Sequence, residues 1–272
     1  MILSSVPSAA SAAAPLLLAA VALLAYGVAC ITSAAVARVP VWSLTLGWLL
    51  HGAWLLLQIG AVGSDAPGLR LGFGPVLSLA AWMILAVHAV ESRFVPLPAV
   101  RRILAGFGAL TLVLAWAFPG EWHVMSSAWA PLHWVLGVTS YALFGAAVLH
   151  ATMLDSAEAQ MRRRDGVVRA PLGMPLLRLE RLTFRFVEAG FVVLTLVLLL
   201  GVATASHWRW DHKTVFSLLG WAVFAALLAG RHWRGWRGQR ATRWLYAGAV
   251  LLLLAYVGSR FVFEVVLGRG VS

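Results

Sequence analysis

FRFVEAGFVVLTLVLLLGVATA, residues 184–205, decides what kind of chain this is. Between Glu188 and Arg209 there is no Asp, Glu, Lys or Arg. A helix that crosses a bilayer needs about 20 mostly apolar residues, and this run supplies them. Seven more runs of the same kind lie at 14–36, 41–61, 72–91, 102–119, 131–154, 213–230 and 242–266. The 272 residues are 61% hydrophobic and 11% charged, whereas soluble domains carry about 25% charged residues. Lipid offers no hydrogen-bond partners, so the spanning segments must satisfy their own backbone groups as helices. The chain reads as an all-α integral membrane protein of about eight transmembrane helices. Residues 1–272 read as one polytopic domain in a lipid bilayer.

The net charge of +11 would suit nucleic acid if it were clustered on a soluble surface. Instead it sorts by side. With eight spans, sixteen of the Arg residues fall on one side: Arg38, three from 93 to 102, seven from 162 to 185 and five from 231 to 243. Arg70, Arg209, Lys213 and Arg269 fall on the other. Positive loops stay in the cytoplasm, so both termini are expected outside it. The basic excess is a topology signal and a contact with anionic lipid, and nucleic acid is excluded as a partner. Cys30 is the single cysteine; it leaves no intramolecular disulfide and no CxxCH haem attachment. No basic residue precedes the first run, so 1–36 reads as a retained span rather than a cleaved signal.

Turn signals keep most connections short. The exception is 155–183, a basic cytoplasmic loop broken by Gly166, Pro171, Gly173 and Pro175. Its second half, LLRLERLTFRF at 176–186, alternates apolar residues with Arg at near-helical spacing. It is expected to form an interfacial helix leading into span six, as an anchor or as a docking surface. There is no clear inverted repeat and no broken span with converging charge, so a transporter is the weakest reading.

Chemistry concentrates in the histidines. His51 falls near mid-membrane, His88 and His150 near the cytoplasmic ends of their spans, and His232 in an Arg/Trp loop. An intramembrane His is either functional or a hydrogen-bond partner between helices. His123, His133, His207 and His212 fall at the outer face with Trp122, Trp129, Trp134, Trp208 and Trp210. Interfacial Trp belts are general, but HWRWDHK at 207–213 is denser than a belt requires. Spacing opposes a structural zinc site, because there is no Cys pair, HxxxH or HExxH. A flat ligand needing an axial imidazole fits better, and haem is one. Its propionates would want cations, and Arg209, Lys213 and Arg260 lie on the right side. Arg260 has an alternative partner in Glu264, four residues on. Asp211 is placed to cap the helix beginning near 212. No nucleophile–base pair, phosphate loop or metalloprotease spacing occurs, and no catalytic residue is assigned.

Trp208-Arg-Trp210-Asp211-His-Lys213 before an apolar span resembles the tryptophan-rich WWD signature of the cytochrome c assembly family, with its CcsA, CcmC and CcmF types. PLHWVLGVTSYALF, 131–144, resembles the family's His-x6-Ser-Tyr segment through His133, Ser140 and Tyr141. GWRGQRA, 235–241, resembles its loop after span seven. DHKTVFSLLGW, 211–221, is similar to the HemX/YpjD branch. The resemblance covers most of the chain. It implies a haem-binding or haem-handling protein of the bacterial inner membrane, multi-pass, without chemistry of its own. It makes His133 the outer-face haem ligand and Trp208, Trp210 and Asp211 the core of the haem-contacting loop. His207, His212 and Arg260 complete the candidate site. The family's second outer His aligns with Leu267, and its His ahead of span three falls in RLGFG, 70–74. The second iron ligand is left open: His207, His212, His123 and His51 are the candidates, and the alternatives are haem held by one protein ligand or no haem. The partners implied are cytochrome c biogenesis or tetrapyrrole-synthesis proteins. The alternative is a haem-free membrane scaffold or regulator acting through the basic cytoplasmic loops.

Overall fold

A computed structural model describes residues 9–32, 39–60, 68–92, 98–124, 129–162, 175–204, 210–262 and 266. The helices are α1 (Ala9–Ile31), α2 (Val39–Ile59), α3 (Phe73–Glu91), α4 (Pro98–Ala117), α5 (Ala130–Arg162), α6 (Leu176–Thr204), α7 (His212–Arg234) and α8 (Gly238–Leu253). Helix α8 continues through a π-helical turn, Leu254–Gly258, and a last α turn, Ser259–Phe261. Eight stretches among the described residues, one for each of these helices, are long and apolar enough to cross a membrane. Their outward faces carry Leu17, Leu24, Leu56, Leu199 and Val202, all largely exposed. Such surface is stable against lipid and unstable against water. The protein is thus an all-α, multi-pass membrane protein. The helices group into two compact units, α1–α4 and α5–α8.

In the first unit small residues let helices approach, as is usual where lipid supplies no hydrophobic drive. A Cβ on Gly47 would lie 2.9 Å from the Tyr26 ring, and one on Gly108 would lie 2.9 Å from Leu85. Trp48 of α2 and Trp82 of α3 stack with centroids 4.8 Å apart and planes 5° from parallel. Each indole N–H donates to the other residue's carbonyl, at 3.0 and 2.8 Å. Two short strands, β1 (Gly68–Leu71) and β2 (Glu121–Val124), pair antiparallel, with Leu69 opposite His123 and Arg70 opposite Trp122. The sequence alone suggested no strand here. Outside lipid-spanning helices, backbone groups still need partners, and the pairing supplies them. Gly68 is required there because a Cβ would meet the Trp122 ring at 2.6 Å.

In the second unit Phe144 and Phe224 stack at 3.9 Å between centroids. Gly190 and Gly248 leave room for those two rings. The Arg-rich end is tied together by polar contacts. Arg231 pairs with Glu180 at 2.9 Å and covers the Phe184 ring at 3.7 Å. Asp155 accepts hydrogen bonds from Thr242 Oγ1 at 2.9 Å and Tyr246 O–H at 2.8 Å. The loop after α7 turns at Gly235, whose φ of 64° is left-handed, and buries Trp236 against Gly230.

The interfacial helix expected within 155–183 is not a separate element. Helix α5 runs on to Arg162, and 176–186 is the start of α6, one 29-residue helix. The reason is a continuous buried stripe: Leu179, Thr183, Val187, Gly190, Leu194 and Val197 follow at helical spacing with no break. Residues 163–174 of the loop lie outside the described residues.

Candidate functional site

The candidate site is built at the end of the second unit where α5 begins, α6 ends, α7 begins and the π turn of α8 lies. His133 stands in the first turn of α5, its backbone N–H bonded to Trp129 O at 3.0 Å. Its ring packs against α6 at Gly201. A Cβ at that position would be 3.3 Å from Cε1 and 3.9 Å from Nδ1. Glycine therefore admits the ring, and no larger residue would leave it in place. The His133 Nδ1 atom is buried and, among the described residues, has no hydrogen-bond partner. Leaving a buried polar atom unsatisfied costs about 1–3 kcal/mol. Such an atom calls for an explanation, of which a group bound from outside the chain is one.

Around this imidazole lie positive charges and aromatic rings. Lys213, in the first turn of α7, acts on His133 electrostatically. Asp211 and Arg260 act in turn on Lys213. The Lys213 Nζ and the Arg260 Cζ each lie 5.8 Å from the Tyr256 ring centroid. Trp134 meets Tyr256 edge-on, with centroids 6.4 Å apart. Tyr256 itself sits inside the π turn, a distortion common at functional positions. Just before that turn the Leu252 carbonyl accepts a hydrogen bond from Tyr141 O–H at 2.6 Å. This bond fixes α8 to α5 beside the site.

Of the residues singled out in sequence, His133, Asp211 and Arg260 lie at the same end of the second unit as Lys213, with Arg260 and Lys213 about the Tyr256 ring. Asp211 caps α7: its carboxylate Oδ1 accepts from Thr214 N–H at 2.7 Å. Trp210 is 73% exposed, at the surface of this end. His212 opens α7 and is exposed. His207, Trp208, Arg209, Glu264 and Leu267 lie outside the described residues. Gly201, Tyr256 and the π turn were not found in sequence. The signal for Gly201 is a glycine inside LLLGVAT, where an apolar run alone asks for a larger side chain.

His51 and His123 belong to the first unit. His51 is fully buried, and both its nitrogens are used. Nδ1 is 3.0 Å from Tyr26 Oη and Nε2 is 2.8 Å from Ser78 Oγ. Named in sequence among the candidates for a second iron ligand, it joins α1, α2 and α3 here through Tyr26 and Ser78. His123 on β2 donates Nδ1–H to Glu121 O at 2.9 Å. His150 likewise donates Nδ1–H to Ala146 O at 2.7 Å and lies over Phe186.

The donor set fits haem in two respects. One imidazole has a nitrogen that no group among the described residues claims, and two cations, Lys213 and Arg260, lie about the same Tyr256 ring and have the charge that carboxylates of a bound ring would want. A site made of protein ligands alone fits less well. Among the described residues no group of three or more His, Cys, Asp or Glu side chains gathers for a metal.

Residues 11–267 match the model of a protein family described as Cytochrome C assembly protein. The inner membrane protein YpjD of Escherichia coli (strain K12) is 30% identical over 236 residues, 84% of this chain and 88% of that protein. The cytochrome c biogenesis protein CcsA of Synechococcus sp. (strain CC9311) is 27% identical over 221 residues, 67% of this chain and 72% of its own. That of Synechococcus sp. (strain CC9902) is 26% identical over 216 residues, covering 67% of this chain and 71% of its own length. No solved structure matches the chain.

Proposed function

The chain belongs to the cytochrome c assembly protein family, and from that membership we propose that it is a multi-pass inner-membrane protein handling haem for cytochrome c biogenesis, with His133 as iron ligand. The observation that carries the residue-level reading is the buried, unpartnered Nδ1 of His133, on an imidazole seated on Gly201. When bound, haem supplies the iron centre and two carboxylates. The chain's own residues bind and orient. His133 offers the imidazole, Lys213 and Arg260 offer charge to the propionates, and Tyr256 and Trp134 offer ring surface. Asp211 holds the start of α7, and so Lys213, in place by its cap. Trp208, Trp210, His207 and His212 flank this group in sequence and complete the proposed contact loop. The positive-inside rule puts this end on the outer side of the membrane and the Arg-rich end in the cytoplasm. Cytochrome c biogenesis proteins are the partners that fit.

The test is an absorption spectrum of protein purified in detergent from haem-replete cells, oxidised and dithionite-reduced, beside His133→Ala. The expected result is a Soret band that is lost or displaced in the variant. A folded wild type without haem, or a variant with an unchanged spectrum, refutes the reading. The haem-free outcome leaves the scaffold alternative, which depends on the basic loops. Against it, Arg231 of that end is engaged on Glu180 and Phe184; Arg240 lies over the Trp236 ring but is exposed.

A further inference from the structure

A second feature lies in the first unit, at the start of α4, and the proposed function leaves it unused. The buried face of α4 carries Leu104, Ala105, Leu112 and Ala115, with Arg101 on the same stripe. Arg101 is only 8% exposed. Its Nε and Nη2 atoms are buried and, among the described residues, have no hydrogen-bond partner. Among the described residues no carboxylate is ion-paired with it. A guanidinium cannot shed its proton at any ordinary pH. Burying it without a counter-charge is strongly unfavourable.

Two further sources of positive charge meet at this point. Arg102 is the adjacent residue and acts on Arg101 electrostatically; its Nη2 donates to Thr32 O at 3.3 Å, at the end of α1. Helix α4 begins at Pro98, so Arg101 lies in its first turn. The first N–H groups of a helix have no acceptor within it, and the helix dipole is positive there. Side chains lean toward the helix N-terminus, which is the direction of that turn from Arg101. A cation at this end of a helix is electrostatically misplaced unless an anion accompanies it.

We propose that the first turn of α4 holds a phosphate-type oxyanion, bound by the Arg101 guanidinium with Arg102 beside it. The planar fork of Arg matches two phosphate oxygens, and helix N-termini bind phosphate by the same backbone groups. The site lies at the end of a membrane-spanning helix, on the side that carries most of the arginines. The phosphate of an anionic phospholipid headgroup sits at that depth, and it is the source we assign. The site would then anchor the first unit to one lipid, independently of any haem.

The test uses the full chain in nanodiscs of phosphatidylcholine, with and without phosphatidylglycerol, followed by thermal unfolding through tryptophan fluorescence. A third arm adds inorganic phosphate to the phosphatidylcholine discs. Phosphatidylglycerol is expected to raise the unfolding temperature of the wild type, and Arg101→Gln is expected to lose that rise. Arg243→Gln, exposed on α8, keeps the rise. If inorganic phosphate produces the rise and Arg101→Gln abolishes it, the site stands with a soluble oxyanion as its ligand. A wild type indifferent to both, or an Arg101→Gln variant that responds as the wild type does, overturns the proposal. Arg101→Met preserves the packing of the stem and serves the same comparison if the Gln variant fails to fold.

Discussion

Replacing Gly201 tests the site without touching a proposed ligand. An Ala Cβ there would sit 3.3 Å from His133 Cε1, whereas carbon atoms at rest are about 3.5–4.0 Å apart. The ring must then retreat by a few tenths of an ångström. Ala also favours the interior of α6 over Gly by roughly 0.5–1 kcal/mol. The two effects oppose each other, so Gly201→Ala is expected to unfold within a few degrees of the wild type. Gly201→Leu is different. Its added carbons occupy the place of the imidazole, and overpacking of this kind costs about 1–3 kcal/mol. The ring can avoid part of that cost only by leaving its position. At about 1.4 kcal/mol per tenfold, haem affinity is expected to fall roughly tenfold or more. The assay is a haem titration of apo-protein in detergent, read at the Soret band, beside a thermal unfolding curve. Gly201→Leu with wild-type affinity and spectrum refutes the placement of His133 in the site. A graded loss, small in Ala and large in Leu, with stability little changed in Ala, supports it.

Other outcomes follow from the same geometry. His51→Leu removes two hydrogen bonds among α1, α2 and α3. At about 0.6 kcal/mol per interhelical bond, plus the hydroxyls left unpaired, it should lower stability by roughly 1–3 kcal/mol in thermal unfolding and leave any haem spectrum unchanged; a lost spectrum in a folded variant would contradict the joint reading. Asp211→Ala should cost about 1 kcal/mol as a lost helix cap, and Asp211→Asn or Ser should restore most of it; failure of both in haem binding despite restored stability would show a direct ligand contact instead. Asp155→Ala should destabilise the Arg-rich end by about 2–4 kcal/mol, since the carboxylate accepts from both Thr242 and Tyr246, with denaturation in detergent as the readout and no change as the contrary result. In a Cys30→Ser background, Arg234→Cys should resist an impermeant maleimide in intact cells and react in inverted vesicles; the reverse pattern would overturn the orientation.

Particular segments show which parts of the fold are written along the chain. Eight apolar runs form eight helices because in lipid length and apolarity suffice: the backbone has no alternative partner. The cap at Asp211 is legible because it is local, an acceptor three residues from the amide it serves. Local rules fail where the chain meets itself at a distance. LLRLERLTFRF has an amphipathic look, and only the packing of Leu179 and Thr183 in line with Val187 makes it the start of α6. The strand pair of 68–71 with 121–124 joins segments far apart in the chain, which no period along it announces.

The sequence by itself determined the membrane, the number of spans, the sorting of charge and the choice of His133 as the imidazole to examine. The first three depend on composition or spacing along single segments, on which the bilayer imposes a one-dimensional rule; His133 was singled out by the resemblance of 131–144 to a family segment. Only the tertiary structure decided which histidines are already satisfied. His51 and His133 look alike in sequence, each a lone His at or within an apolar run. One is held by Tyr26 and Ser78 from two other helices, and the other rests on Gly201 with a buried nitrogen unclaimed. Hydrogen bonding is short-ranged and directional, so availability of a ring nitrogen is a property of the neighbours that packing brings within about 3 Å. The same holds for Arg101, whose positive charge is written in the sequence and whose lack of a partner is not.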